Sequence, residues 1–210
     1  MIAVLNYGMG NAAAILNMIR RAGGKAYSCE SAEDLERATA IVLPGVGSFD
    51  NGMIKLRDSR LLEAVEETVL SSQRPFLGVC LGMQLLFEES EEGQLPGLGW
   101  LKGNVTRFDF AGRPSGLRLK IPHMGWNLVN PIHFESLYAG LEDQPRFYFV
   151  HSFHVNCEDE SDVLARSTYG YEFTCSVRRG NIWGAQFHPE KSHRFGLKFF
   201  ENFLRNISDA

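Results

Sequence analysis

Phe76-Leu77-Gly78-Val79-Cys80-Leu81-Gly82-Met83-Gln84 is the stretch on which the reading of this chain turns. The apolar run after Pro75 predicts a buried strand over Phe76–Val79, followed at once by a helix through Leu85, Leu86 and Phe87. Between them, Gly78-Val79-Cys80-Leu81-Gly82 is a G-x-C-x-G pentapeptide, the thiol counterpart of the G-x-S-x-G nucleophile elbow. The flanking glycines let the backbone fold tightly and leave Cys80 at a helix N-terminus, where free amides and the helix dipole favour the reactive thiolate. Free cysteines are most often inert and buried. Two glycines in a strand-to-helix setting point instead to a nucleophile.

Outward from this turn, the first half of the chain alternates. Ile2–Leu5 is a short apolar strand, Gly8-Met9-Gly10 a turn, and Asn11 the cap of a helix with Ile15, Met18 and Ile19 on its apolar face, ending at Gly23-Gly24. Lys25–Cys29 reads as a second strand, and Ser31 with Asp34 opens a short helix in a capping-box pattern. Ile41–Leu43 is a third strand that runs into Pro44-Gly45-Val46-Gly47. Leu61, Leu62, Val65, Val69 and Leu70 recur at helical spacing. Fully apolar strands alternating with helices imply a parallel sheet covered on both faces. The second half reads as strands at Trp100–Leu101, Val105–Phe108, Leu117–Ile121, Arg146–Val150, Val163–Arg166, Glu172–Arg178 and Ile182–Ala185, closed by an amphipathic helix at about Ser192–Asn206. The expectation is one α/β domain over residues 1–210, mostly parallel with antiparallel additions.

Composition narrows the function. Lys plus Arg is 21 and Asp plus Glu is 25, a net charge of −4 with no large block of one sign. That argues against phosphate-held nucleic acid and against a polybasic membrane surface. With 44% hydrophobic and 22% charged residues, the chain has the makeup of an ordinary soluble globule. Cys29, Cys80, Cys157 and Cys175 form no CxxC, which makes a disulfide scaffold or zinc knuckle improbable and implies no metal. The start, Met1-Ile2-Ala3-Val4-Leu5-Asn6, lacks a basic n-region, and a cytoplasmic address is the default.

A cysteine nucleophile needs a base that an acid can orient. Among His123, His133, His151, His154, His188 and His193, the segment Gln186-Phe187-His188-Pro189-Glu190 singles out His188. Residues i and i+2 of an extended segment share a side, so Glu190 can fix the imidazole tautomer and stabilise its charged form. Pro44-Gly45-Val46-Gly47 should emerge at the same sheet edge as Cys80, and its glycine amides with that of Leu81 suit an oxyanion hole. Glu88-Glu89-Ser90-Glu91-Glu92 places four carboxylates at an expected helix C-terminus, where the dipole disfavours them; a solvated acidic end and an anion for a substrate ammonium both account for it. Gly8-x-Gly10-x-x-Ala13 with Glu30 about twenty residues on has the outline of a dinucleotide fingerprint, and also of any Gly-rich strand-to-helix turn.

Together, G-V-C-L-G-M-Q at 78–84 and Q-F-H-P-E-K at 186–191 resemble the class I triad glutamine amidotransferases. The segments Asn6–Asn11, Pro44–Phe49, Ser90–Gly93, Pro122–Asn127 and Tyr148–Phe153 are similar, more narrowly, to the glutaminase subunits of imidazole glycerol phosphate synthases. The resemblance implies a flavodoxin-like three-layer fold without a cofactor. It also implies attack by Cys80 on the side-chain amide of L-glutamine, an oxyanion held near Gly47 and Leu81, and His188 oriented by Glu190. Gln84 and Glu92 would bind the amino-acid end, assisted by the backbone of Ser152 and Phe153. The resemblance further implies a (β/α)₈-barrel synthase as partner, with Asn11, Trp126 and Lys191 on the side facing it; for Trp126, core packing is the competing assignment. Asn6 stands where that family usually has Asp, and Ala14 where it frequently has Ser. These departures leave room for a paralogous subunit feeding another synthase, for example in amidino-sugar formation. A Cys-elbow peptidase of the same fold would leave Gln84 and Glu92 unexplained, and a nucleotide-binding module would leave Cys80 and His188 idle.

Overall fold

The computed structural model describes residues 1–111, 119–132, 134, 136–141 and 144–208. Four short strands, β1 (Ile2–Leu5), β2 (Ala26–Cys29), β3 (Ala40–Leu43) and β4 (Phe76–Val79), pair in parallel in the order β2-β1-β3-β4. Their apolar character has a direct cause, because both faces are covered. Val4, Val42, Leu77 and Val79 pack into one core layer with Ile15 and Ile19 of α1 (Ala12–Arg21). Leu5, Ile41, Leu43 and Phe76 pack into the other, with Met53 and Leu56 of α3 (Phe49–Asp58) and Val65 of α4 (Leu62–Glu66). The short helix α2 (Ala32–Leu35) lies between β2 and β3 in the chain. Period-two alternation thus builds an α/β/α sandwich with a parallel core, as expected.

The remaining elements extend this sheet. In chain order they are α5 (Leu81–Gln84), β5 (Glu89–Ser90), β6 (Gly103–Arg107), β7 (His123–Leu128), β8 (Asn130–Pro131), β9 (Arg146–His151), β10 (Phe153–Cys157), β11 (Val163–Tyr169), β12 (Tyr171–Arg179), β13 (Ile182–Ala185) and α6 (His193–Ser208). β13 lies parallel to β4, and β12, β10 and β6 continue antiparallel; β7 and β9 form a separate two-stranded sheet. The C-terminal helix packs Phe199, Phe200 and Phe203 into the α1 face.

Several sequence expectations need correction. The helix after Cys80 stops at Gln84 rather than running through Phe87. The residues that follow it bond elsewhere: Leu98 N–H donates to the Leu85 carbonyl, Leu101 to Leu86, Gly99 to Phe87 and Gly97 to Glu88. The strand expected at Trp100–Leu101 is therefore part of a loop that pairs with the segment after this helix. The strand expected at Leu117–Ile121 begins outside the described residues, and 119–121 carry none. His133 also lies outside them. Ser31 makes no side-chain cap bond, and the Asp34 carboxylate takes the Glu30 amide instead. The stripe from Leu61 to Leu70 widens into a π-turn over Glu67–Ser71, which leaves Leu70 exposed. The strands β7 and β10 and the helix α3 were not anticipated. In β7 and β10, polar His, Asn and Gly residues mask the alternation.

Strands β7, β9 and β10 carry a buried histidine network that forms one wall of the site. The Phe153 carbonyl can only accept, so His151 Nδ1 donates to it at 2.7 Å. His151 Nε2 then accepts from His123 Nδ1 at 3.0 Å, and His123 Nε2 accepts from Asn127 Nδ2 at 3.2 Å. The His123 ring stacks between Tyr169 and Phe149. Burial pushes His123 down to about 4 and His151 to about 3, and lowers His154 as well. All three stay neutral at neutral pH.

The sign of the consequence follows. Below about pH 6.5 the unfolded chain binds protons at these positions and the folded chain does not, so stability is lost as pH falls from 6.5 toward 4. Unfolding in urea should be about 2 kcal/mol less costly at pH 5.5 than at pH 7: His123 and His151 lose roughly 1.3 each, His154 adds to the loss, and the raised His188 offsets a part of it. Equal stability at the two pH values would contradict a neutral buried cluster.

Candidate active site

The strand-to-turn passage from β4 into α5 puts Cys80 at φ 55°, ψ −112°, a left-handed conformation that a non-glycine residue rarely adopts. The neighbouring glycines let the backbone pack tightly, as expected, and the reason is close approach rather than backbone conformation. Neither has a positive φ; both are needed because backbone comes too close. A Cβ on Gly78 would lie 2.5 Å from the Gly82 carbonyl oxygen, and one on Gly82 would lie 2.1 Å from that of Leu43. Gly45, in the loop after β3, would meet the Gly82 nitrogen at 2.8 Å. The elbow is thus wedged between the ends of β3 and β4, and the Pro44–Gly47 loop rests directly on it.

Around the sulfur lies a cleft of about 280 Å³, lined among others by Gly47, Leu81, Gln84, Glu92, Ser152 and Phe153 together with Cys80. Every residue expected at the oxyanion and substrate positions therefore shares one hollow with the nucleophile. A larger hollow of about 930 Å³ sits near Met1, Lys25 and Arg205, at the opposite ends of the strands, and among the described residues no cysteine or histidine lines it.

His188 and Glu190 join as expected, by another route. Pro189–Lys191 forms a single 3₁₀ turn rather than extended chain, and His188 Nδ1 lies 2.8 Å from Glu190 Oε1 with both side chains buried. Glu190 Oε2 and His188 Nε2 are buried without a hydrogen-bond partner. Burial disfavours the charged imidazole, but the Cys80 sulfur and the Glu190 carboxylate outweigh it and push His188 up to about 10. The imidazolium is therefore the resting form at neutral pH. Its contribution to stability is complete below pH 6.5 and is lost as pH rises through about 10.

The acidic run does not sit on a helix end. Glu88 takes the Gly103 amide, Glu91 the Arg107 amide, and Glu92 the Phe49 amide at the start of α3. Burial raises the Glu92 carboxyl above its usual range. One Glu92 oxygen holds α3 in place while the side chain borders the cleft, which suits a cation of ammonium size. Gln84 is more committed than expected, since its Nε2 donates to the Phe153 carbonyl at 3.2 Å and to Gln186 Oε1 at 3.0 Å. Sequence reasoning passed over Gln186 and His151. Both obeyed a rule already in use: Gln186 stands two residues before His188, and His151 continues the inward alternation of Phe147 and Phe149 in β9.

Asn11 caps α1 by accepting the Ala14 amide at 3.0 Å. Trp126 is half exposed (47%) and stacks on His193 with rings 5.4 Å apart, which excludes core packing; Lys191 lies over the Tyr148 ring. Asn6 donates to Glu30 at 2.7 Å, so the acidic residue of the dinucleotide outline is engaged by the protein itself.

The family model for class-I glutamine amidotransferases matches residues 3–207. The chain belongs to this family. Similar amidotransferase chains include the imidazole glycerol phosphate synthase subunit HisH 2 of Pseudomonas aeruginosa, 47% identical over 99% of this chain and 100% of that one. The subunit HisH of Leptospira interrogans is 44% identical over 97% and 98%. In fold, the chain is similar to PurLQS from Thermotoga maritima, with a TM-score of 0.74 at 19% identity over 98% of both chains. It is also similar to a GMP synthase subunit from Thermoplasma acidophilum, with a TM-score of 0.72 at 21% identity over 99% and 94%.

The wedged elbow makes a structural prediction for this amidotransferase. Gly82→Ala should destabilise the protein by about 3 kcal/mol or more in urea unfolding, because its methyl meets backbone rather than a movable side chain. A cost below about 1 kcal/mol would show that the elbow has room to relax.

Proposed function

We propose that this chain is the glutaminase subunit of an imidazole glycerol phosphate synthase, acting in histidine biosynthesis. The observation that carries the reading is the meeting of a left-handed Cys80, a charged His188 held by Glu190, and a cleft bordered by Glu92 and Gln84.

In this reading, glutamine enters with its α-ammonium group toward Glu92 and its carboxamide over Cys80. The thiolate attacks the amide carbon, and the oxyanion settles against the backbone at Gly47 and Leu81. His188 gives its Nε2 proton to the departing nitrogen, which leaves as ammonia, and a glutamyl thioester remains on Cys80. The now neutral imidazole takes a proton from water as the water attacks the thioester, releasing glutamate and restoring the imidazolium–thiolate pair. Glu190 keeps the ring in place throughout.

Ammonia released into neutral water becomes ammonium, which is no nucleophile, so the product must pass directly to an acceptor site. The relatives named above are subunits of a synthase, and we infer that the partner is a (β/α)₈-barrel subunit. Register supports the side on which it docks. Trp126 pairs with Tyr148 across β7 and β9, and Tyr148 bridges His188 on its other side. An exposed aromatic thus lies two strands from the catalytic base, with Met124 exposed beside it in β7. Aromatic residues in such positions often dominate interface energetics. Asn11 and Lys191 belong to the same proposed face.

Glutamate release from glutamine tests the chemistry. Cys80→Ala should abolish it while leaving the protein folded, and undiminished hydrolysis in that variant would overturn the mechanism. The partner is tested separately. Trp126→Ala should weaken association with the barrel subunit by about tenfold or more in titration calorimetry. Unchanged affinity would remove Trp126 from the interface, and activation only by a different synthase would favour the paralogous role.

A further inference from the structure

One polar side chain in the site has no part in that mechanism. Gln186 is completely buried at the end of β13, and its Nε2 lies 3.7 Å from the Cys80 sulfur. The direction of this contact is set by a chain of groups with no freedom to reverse. The Phe153 carbonyl is acceptor only, so Gln84 must turn its NH₂ toward it. The same NH₂ reaches Gln186, which must therefore present Oε1 to Gln84 and its own NH₂ to the sulfur. The far side of the Phe153 carbonyl is held by His151, fixed in turn by His123 and Asn127. Besides His188, the Val150 carbonyl neighbours the sulfur, 4.0 Å away, an acceptor that suits the protonated thiol.

We propose that Gln186 is a catalytic residue of this site: its amide donates to the Cys80 sulfur, stabilises the thiolate and fixes the direction of attack, with Gln84 and the Phe153 carbonyl setting that donor's orientation. The inference deepens the glutaminase reading and rests on it for the meaning of the thiolate. It also gives the cleft wall a connection to the nucleophile, since the residues proposed to hold the amino-acid end of glutamine are those that orient the donor. The titratable groups around the sulfur are His188 after β13, Tyr7 after β1, and, lining the same cleft, His151 and Glu92. His151 is neutral and Tyr7 is held protonated by burial, so among the uncharged groups Gln186 is the donor that reaches the sulfur.

Alkylation of Cys80 by iodoacetamide, followed site by site with mass spectrometry, tests this without glutamine or any activity. Burial raises Cys29 to about 11 and Cys157 to about 12, and raises Cys175 well above its usual range, so these three thiols are held back from reaction near neutral pH. Gln186→Met keeps the side-chain length and removes the donor. In that variant the pH of half-maximal alkylation should rise by about one unit, the worth of a hydrogen bond to a charged group. A superimposable profile in a folded variant would overturn the proposal. The wild-type protein offers an independent reading. The Gln186 side-chain amide resonance should titrate with the same midpoint as Cys80 alkylation and lose that step in Cys80→Ser. A resonance that ignores the sulfur would also overturn it. Both readouts stand even if glutamine proves not to be the substrate.

Discussion

The turn at Cys80 constrains everything around it. A residue with a side chain is held in the left-handed region, at a cost of order 1–3 kcal/mol, and persists only because its surroundings leave no alternative. Those surroundings are close backbone approaches at Gly78, Gly82 and Gly45, which join the ends of β3 and β4 to the loop after β3. The same three approaches bring Gly47 and Leu81 to one cleft. Parallel strands deliver their carboxyl ends to a common edge, and strand β13, lying parallel to β4, delivers Gln186 and His188 to it as well.

Two kinds of electrostatic environment sit within a few side chains of each other. His188, beside a carboxylate and a sulfur, is driven toward its charged form, whereas His123, His151 and His154, packed among Phe108, Phe149 and Tyr169, are driven toward neutrality. Burial is common to all four. What separates them is whether an anion stands close enough to outweigh burial: Glu190 and the Cys80 sulfur do so at His188, whereas Glu91 raises His154 too little to offset it, and that difference sorts one histidine into chemistry and three into scaffolding.

Much of this was legible in the sequence, and the gaps have physical reasons. Apolar strands such as Ile2–Leu5 and Phe76–Val79 carry their fold class openly, because a strand buried on both faces has no polar position to confuse the pattern. Cys80 was legible from its own pentapeptide, and His188 with Glu190 because they stand two positions apart; what brings the sulfur to the imidazole is the pairing of β4 with β13. The length of α5 was not, since the residues after it, Leu85–Glu88, bond to a loop nine to fifteen residues further on. The role of the Glu88–Glu92 run was hidden for a similar reason: its partners are backbone amides of β6 and α3, which no local pattern records. Gln186 escaped because an amide advertises no reactivity, and its importance depends on a donor direction fixed by Phe153, Gln84 and His151 in three dimensions. The dinucleotide outline at Gly8–Glu30 matched in spacing alone; Asn6 occupies the carboxylate that a ribose would need.

In the proposed mechanism Cys80 forms a covalent bond to the carboxamide carbon of a glutamine side chain. Rapid acid quenching of the protein with saturating glutamine, followed by intact-mass and peptide analysis, addresses it directly. A transient species heavier by the mass of glutamine less ammonia should be found on Cys80 and decay as glutamate appears. Glutamate formation with no such adduct at any quench time, or with the adduct on another residue, would contradict that mechanism.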